Sequence, residues 1–323
     1  MTIAILGGTG FIGREVIKRL RDRGETVLLL HRGLNVPDPL PPGVTARQVD
    51  RTDAAAIAAL LREFGVTAAI DIIALTLANT AGIREAAALS GARYVMISGG
   101  DVYASYGAMI GRDTAEPHAA PLSEDAPLRT SRFPLRGNDR RPKGIDPELL
   151  DNYDKIVIEE AALADPRLET TILRPGMTFG PNDKQHRFGW VIGAVRAGGR
   201  IPVDERALGW KSSYGFVTDV ADAIALAALE PKAAGRIYNI AQPKARTVAD
   251  WIKTFAAVMG MKVEIVPVPP DAKGLLAERA WATDLRYDLA IDSRRIRHEL
   301  GFVELVPETD ALMQTIAYET GPT

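Results

Sequence analysis

The sequence predicts an α/β fold, a doubly wound parallel sheet with a smaller C-terminal domain. Three observations predict it. Short apolar runs alternate with amphipathic helical patterns through the N-terminal half, and such alternation argues for parallel strands covered by helices on both faces. A glycine-rich loop, Gly7 to Gly13, joins the first run to the first helical pattern. The chain has 323 residues, enough for one large α/β domain or two ordinary ones.

The elements follow in order. Ile3–Leu6 reads as a short buried strand. Phe11–Arg23 carries Ile12, Val16, Ile17 and Leu20 at helical spacing, with Gly24 as a stop. Thr26–Leu30 is a second strand. Asp53–Phe64 is an alanine-rich helix, with Asp53 as N-cap and Gly65 behind it. Ala68–Ile73 is a third strand, Thr80–Leu89 a helix and Tyr94–Ile97 a fourth strand. Residues Ala104–Pro147 break the rhythm with Pro117, Pro121, Pro127, Pro134, Pro142 and Pro147. They also hold the basic residues Arg129, Arg132, Arg136, Arg140, Arg141 and Lys143. A connection that long is a functional loop or a disordered one, and this one reads as a solvated basic loop or a lid. Beyond it, Asn152–Ala164 predicts a helix, Thr170–Arg174 a strand, Val191–Arg196 and Asp219–Leu229 helices, and Arg236–Ile240 a strand. From about Thr247 helices alternate with short apolar runs such as Val263–Val268.

Composition excludes several chemistries. There is no cysteine, so disulfides, thiolate nucleophiles and cysteine metal sites are out. Lys and Arg number 39 against 41 Asp and Glu, which gives no whole-chain case for nucleic acid or an acidic membrane. No apolar run approaches the ~20 residues of a bilayer span, and the N-terminus lacks a basic leader pattern. The expectation is a cytoplasmic protein without membrane or nucleic-acid partners. His31, His118 and His298 form no metal-ligand spacing, so no metal is expected. The Gly-x-Ser-x-Gly pattern of a serine hydrolase is absent.

Gly7-Gly8-Thr9-Gly10-Phe11-Ile12-Gly13 has the spacing G-x-x-G-x-x-G between a strand and a helix. Glycines there permit a tight turn, close approach of backbone to a pyrophosphate, and close helix–strand packing. The helix N-terminus then presents N–H groups to the phosphates. This makes the fold Rossmann-like and implies a dinucleotide cofactor, NAD(P). The second strand ends Leu30-His31-Arg32-Gly33, without the carboxylate that holds a ribose 2′-OH. Arg32 there can meet a 2′-phosphate, so the expectation leans to NADP.

The loop resembles that of the extended short-chain dehydrogenase/reductases, the NAD-dependent epimerase/dehydratase group. The resemblance continues along the chain in Asp50-Arg51 with Asp53, in Tyr94–Ser98 with Val102-Tyr103, in Leu173–Pro181 and in Phe216–Ala223. Asp125–Arg129, Arg132–Gly137, Tyr153–Ile156, Gln185–Arg187 and Ser293–Arg297 look like a bacterial branch of sugar-epimerase-like proteins; some segments also resemble plant chloroplast RNA-binding relatives. The resemblance implies cofactor contacts from Gly7, Thr9, Gly10, Phe11, Ile12, Gly13, Arg32, Asp50, Arg51, Ile73, Ala74, Leu75, Lys155, Pro175 and Met177. It places Tyr103, Asp183, His186, Arg187 and Lys211 toward substrate. It implies a hydroxylated, sugar-like or nucleotide-linked substrate and a homodimer. Glu159 and Glu160 read as surface or dimer contacts. The cofactor domain would span residues 1–177 plus about 214–245, and the substrate domain about 178–213 plus 246–323.

The catalytic pattern departs from the family's. The family uses a Tyr four residues before a Lys, plus a Ser or Thr. Lys155 fits the Lys position, but Asp151 stands four residues earlier. Tyr153 lies two residues before Lys155 and, at about 100° per residue, would point away from it on a regular helix. The hydroxyl position falls on Gly99, with Ser98 beside it on the opposite side of a strand. Three readings stand. An irregular helix start near Asp151 lets Tyr153 reach the cofactor. Asp151 or Asp101 acts as the acid–base instead. Or the protein binds nucleotide without redox chemistry, as a sensor or RNA-binding relative. A dehydratase is the rival among enzymes.

Overall fold

The structure is a computed structural model that describes residues 1–33, 36, 38–114, 116, 121–137, 145–278 and 283–321. His118, Arg140, Arg141 and Lys143 lie outside the described residues, as do Pro117 and Pro142.

The N-terminal half runs β1 (Thr2–Leu6), α1 (Phe11–Asp22), β2 (Thr26–His31), β3 (Val44–Gln48), α2 (Ala54–Glu63), β4 (Val66–Asp71), α3 (Leu77–Ser90) and β5 (Arg93–Ile97). Then come α4 (Ala104–Met109), α5 (Pro147–Asp151), α6 (Lys155–Ala164), β6 (Thr170–Pro175) and β7 (Met177–Phe179). The remainder is α7 (Gly189–Ala197), β8 (Gly199–Asp204), β9 (Lys211–Ser212), β10 (Tyr214–Phe216), α8 (Val217–Leu229) and β11 (Ile237–Ile240). It closes with β12 (Arg246–Thr247), α9 (Val248–Val258), β13 (Val263–Val268), α10 (Arg294–Leu300) and α11 (Glu308–Thr320).

Seven strands form one parallel sheet in the order β3-β2-β1-β4-β5-β6-β11. Alternate residues of each strand feed opposite cores. Ile3, Ile5, Val27 and Leu29 pack with Val16 and Leu20 of α1, Ile224 of α8 and Ile296 of α10. Ala4, Leu6, Leu28 and Leu30 pack with Ile57 of α2, Ile83 of α3 and Ile158 of α6. The strand order reverses between β1 and β4, and ligands of such sheets bind beyond the carboxyl ends of the strands at that point.

A separate aromatic core lies outside the sheet. Phe188 stacks on Tyr214 with ring centroids 4.6 Å apart and meets Trp251 at 4.7 Å and Phe255 at 4.9 Å. It gathers β7, β10, α7, β8, α9 and α11. Two small parallel pairs, β7–β10 and β8–β13, sit there.

Two differences from the sequence reading matter. The sequence signal for β3 is weak, because Val-Thr-Ala-Arg-Gln has only Val44 and Ala46 as apolar members; it forms as an edge strand that pairs with β2 and turns those two residues to the core. The helix expected over Asn152–Ala164 starts at Lys155, with the Asp154 side chain capping it by accepting from the Ile156 N–H. A separate short helix, α5, ends at Asp151.

Candidate active site

Gly7, Gly8, Gly10 and Gly13 do different work. Gly7 has φ of +84°, a conformation glycine adopts without strain. A Cβ on Gly8 would meet Leu29 at 2.7 Å, and one on Gly13 would meet the Gly7 carbonyl oxygen at 2.2 Å. Those two let α1 pack against the loop and β2. Gly10 is different: a Cβ there would meet nothing nearer than the Gly7 oxygen at 3.5 Å. Its pro-side-chain face is therefore an open cradle at the head of α1. The first i→i−4 bond of α1 runs from Arg14 N–H to Gly10 O, so the Phe11, Ile12 and Gly13 N–H groups precede it. No acidic residue stands in the first turn. An open glycine face beneath helix N–H groups fits a dinucleotide pyrophosphate.

A cleft of about 990 Å³ opens at this end of the sheet. Phe11, Ile12, Leu75, Pro175 and Met177 line it on the glycine-loop side. Ser98, Gly99, Gly100, Asp101, Tyr153 and Lys155 form its floor. Ile72 lines the wall, whereas Ala74 lends its carbonyl to Lys155 and Ile73 is exposed.

Lys155 is buried at the first position of α6. Its Nζ donates to the carbonyls of Ala74 at 2.5 Å and Ile97 at 2.9 Å. An ammonium has three protons, so one donor remains for a ligand hydroxyl. Burial lowers the Lys155 pKa, while Asp101, Asp71 and Glu159 oppose that shift.

Tyr153 sits outside any helix, in an isolated bridge to Thr76. Its hydroxyl donates to Asp101 Oδ2 at 2.7 Å. Burial, and then the Asp101 carboxylate, push the Tyr153 pKa well above that of free tyrosine. Asp101 stands where the family's hydroxyl residue would project: a Cβ on Gly99 would lie 2.9 Å from Asp101 Oδ1. The floor therefore presents a lysine, a tyrosine and a carboxylate together.

Other predicted residues lie elsewhere. Asp151 does not line the cleft; its Oδ1 accepts from the Gly137 N–H at 3.3 Å and its carbonyl from Arg136 at 2.9 Å. Ser98 belongs to the cleft floor, but its hydroxyl is turned away and donates to Glu159 at 2.5 Å. Glu159 is no surface residue: it is buried and pairs with Arg174, Nη2 to Oε2 at 2.5 Å. Tyr103 belongs to the same buried network, donating to Asn239 at 2.6 Å and accepting from Arg174 at 3.2 Å, so it does not face the cleft. Arg51 turns inward to Asp71 at 2.9 Å and to the Asn79 carbonyl at 2.5 Å, pinning the turn after β4. Asp50 is exposed and bonded to Thr52. Arg32 is exposed just past the end of β2; Thr9 receives Arg14 on its carbonyl at 2.8 Å.

Toward the substrate side, Arg187 lines the cleft, held through Nη1 by Asp183 at 2.6 Å and the Thr178 carbonyl at 2.9 Å. Asp183 is buried beneath it. His186 turns out to Glu319 at 2.8 Å. Lys211 is exposed and does not line the cleft, whereas nearby Ser213 does. The proline-rich segment is not simply a solvated basic loop: Arg129 is fully buried against Asp154, and Arg132 pairs with Glu160 at 2.9 Å. Sequence reasoning missed Tyr106, Met109 and Ile110 on and beside α4, and Leu149 and Leu150 on α5, all in the cleft wall. Their periodicity was hidden because both helices are shorter than two turns.

The chain is similar to several known proteins. Residues 3–124 match the NAD dependent epimerase/dehydratase family. A curated Streptomyces protein, named as a 3-diazoavenalumate denitrifying reductase, is 27% identical over 295 residues, 86% of this chain and 86% of that one. The fold is shared with the UDP-glucose 4-epimerase of Thermus thermophilus solved with NAD, at a TM-score of 0.66 and 21% identity over 100% of both chains. It is also shared with the dTDP-glucose 4,6-dehydratase of Bacillus anthracis solved with NAD, at a TM-score of 0.68 and 16% identity, covering 98% of this chain and 96% of that one.

Proposed function

Residues 3–124 match the NAD dependent epimerase/dehydratase family, and on that premise we propose that the chain is an NAD(P)-dependent oxidoreductase of epimerase or reductase type. Its substrate is a hydroxyl- or carbonyl-bearing small molecule. The observation that carries this reading is the meeting of Tyr153, Asp101 and Lys155 on the cleft floor beyond the open Gly10 cradle. When bound, the nicotinamide supplies the acceptor or donor of a hydride. Gly10 and the Phe11–Gly13 N–H groups hold its pyrophosphate, Lys155 its ribose, and Arg32 a 2′-phosphate, which supports NADP over NAD.

The proton route is the chain's own. On oxidation, Tyr153 Oη takes the proton of the substrate hydroxyl as its own proton passes to Asp101 Oδ2; reduction runs the route backward. Because the carboxylate accepts that proton, no free phenolate is needed. This suits a tyrosine whose pKa is raised rather than lowered.

The substrate is sugar-like on the analogy of the nucleotide-sugar enzymes that share the fold. A second reading, a reductase for an apolar-bodied acid, is favoured by the wall of Met109, Ile110, Leu149, Leu150 and Leu289 with Arg187 beside them. In assembly we propose a homodimer, and in the chain a division near Met177. The test is a turnover screen with NADPH and NADP, followed by Tyr153→Phe. A fall in kcat of about 10²–10⁴ with cofactor affinity kept supports the relay. An active protein in which Tyr153→Phe is harmless and Asp151→Asn is not transfers the role to Asp151.

A further inference from the structure

Among the described residues, Arg129 is the largest charged side chain with no solvent contact, and its fork touches both segments that make the Tyr153–Asp101 bond. Nε donates to the Asp101 carbonyl at 2.9 Å. Nη2 donates to Asp154 Oδ1 at 2.6 Å, and Nη1 to the Ser131 carbonyl at 2.5 Å. Asp154, wholly buried, also accepts from the Phe133 N–H at 2.7 Å and the Ile156 N–H at 3.0 Å. Asp154 thereby starts α6 at Lys155 and leaves Tyr153 outside the helix, bridged to Thr76.

We propose that Arg129 and Asp154 form a clamp whose role is to position Tyr153 against Asp101, converting a Tyr-Asp-Lys triplet into a working substitute for the four-residue Tyr–Lys spacing. Were α6 continued one turn backward, Tyr153 would swing about 200° from Lys155. A capped start at Lys155 removes that constraint. The Arg129 fork then fixes the carbonyl of Asp101 and the carboxylate of Asp154 in one rigid unit. Burying an ion pair adds little net stability compared with apolar residues of the same shape; here its geometry sets a hydrogen bond at the cleft floor. Arg129 is a positioning residue, acting through Asp101 and Tyr153 without touching the cleft itself. The inference rests on the functional reading above for its catalytic consequence, while the geometric claim stands apart from it.

The test uses the full chain labelled with tyrosine carrying ¹³C at Cζ, with the Tyr153 signal assigned through Tyr153→Phe. Its ionisation is followed by NMR in wild type, Asp101→Asn, Arg129→Lys and the charge-balanced pair Arg129→Met with Asp154→Asn. The paired variant avoids leaving one buried charge alone, and Arg129→Lys keeps the charge without the fork. Asp101→Asn removes the carboxylate partner and is expected to lower the Tyr153 titration point. The clamp predicts that both clamp variants, with wild-type circular dichroism, move Tyr153 in the same direction. Tyr153 titrating as in wild type in either folded clamp variant overturns the proposal, whether or not a substrate is known. Where turnover is measurable, the clamp variants lose about 10²-fold in kcat with KM for cofactor held. A change in KM alone contradicts the role.

Discussion

Replacing Gly10 by Val separates binding from folding. The side-chain position on Gly10 faces open space, the nearest atom being the Gly7 oxygen 3.5 Å away, and its φ of −84° is open to any residue. The fold loses only an N-cap preference, about 1 kcal/mol. On the proposed cofactor site, a valine methyl there fills the space assigned to the pyrophosphate. Losing two charge-assisted N–H bonds to phosphate, at about 1.5–3 kcal/mol each, weakens the cofactor by about 10²–10⁴-fold in Kd. Gly13→Ala is the contrast: its methyl would lie 2.2 Å from the Gly7 oxygen and 2.6 Å from the Gly8 Cα. The loop must move, at about 1–3 kcal/mol in stability. Fluorescence titration with NADPH and urea unfolding measure the two quantities. A Gly10→Val protein that binds NADPH like wild type refutes the cradle; one that unfolds more readily than Gly13→Ala refutes the division of glycine roles.

Three further changes are diagnostic. Arg32→Asp exchanges a cation for an anion at the end of β2, so preference moves from NADP toward NAD by about 1.5–3 kcal/mol; equal wild-type affinity for the two cofactors, by calorimetry, removes the argument. Glu159→Ala strands the buried Arg174 guanidinium and costs about 3–5 kcal/mol in urea unfolding; a cost under about 1 kcal/mol contradicts the network. Asp219 accepts the Leu305 and Val306 N–H groups on one oxygen, and burial raises its pKa from 3.8 to about 6. Between those values the folded chain holds a proton the unfolded chain has lost, so stability falls as pH rises across that window. Asp219→Asn keeps the accepting oxygen and removes the titration, so its stability relative to wild type rises across that same window; a constant difference refutes the assignment.

The parallel sheet and the glycine loop were legible because their signals are local. Strands such as Thr26–Leu30 are continuous apolar runs, and the G-x-x-G-x-x-G spacing encodes backbone geometry within seven residues. The resemblance puts Lys155 at the family's Lys position, and the structure places that side chain in the cleft lining. The placement of Tyr153 was not legible, because the break before α6 depends on Arg129, 25 residues upstream of Asp154. The irregular helix start was among the readings the sequence left open, with a partner, Asp101, that no spacing rule supplies. Tyr103 and Glu159 misled for a related reason. Their resemblance to functional or surface positions says nothing of the Arg174 network that buries them. Asp183 and His186 close a turn just before Arg187, which faces the cleft, and a positive φ at His186, 47°, accompanies a ring turned outward to Glu319.

A crystal structure of the protein with NADPH decides whether Tyr153, Asp101 and Lys155 are the working site. The pyrophosphate is expected over Gly10, the nicotinamide ribose on Lys155 Nζ, and the nicotinamide beside Tyr153 Oη, still bonded to Asp101. A dinucleotide bound away from the Gly7–Gly13 loop, or a nicotinamide facing Asp151 with Tyr153 turned out of the cleft, contradicts that assignment.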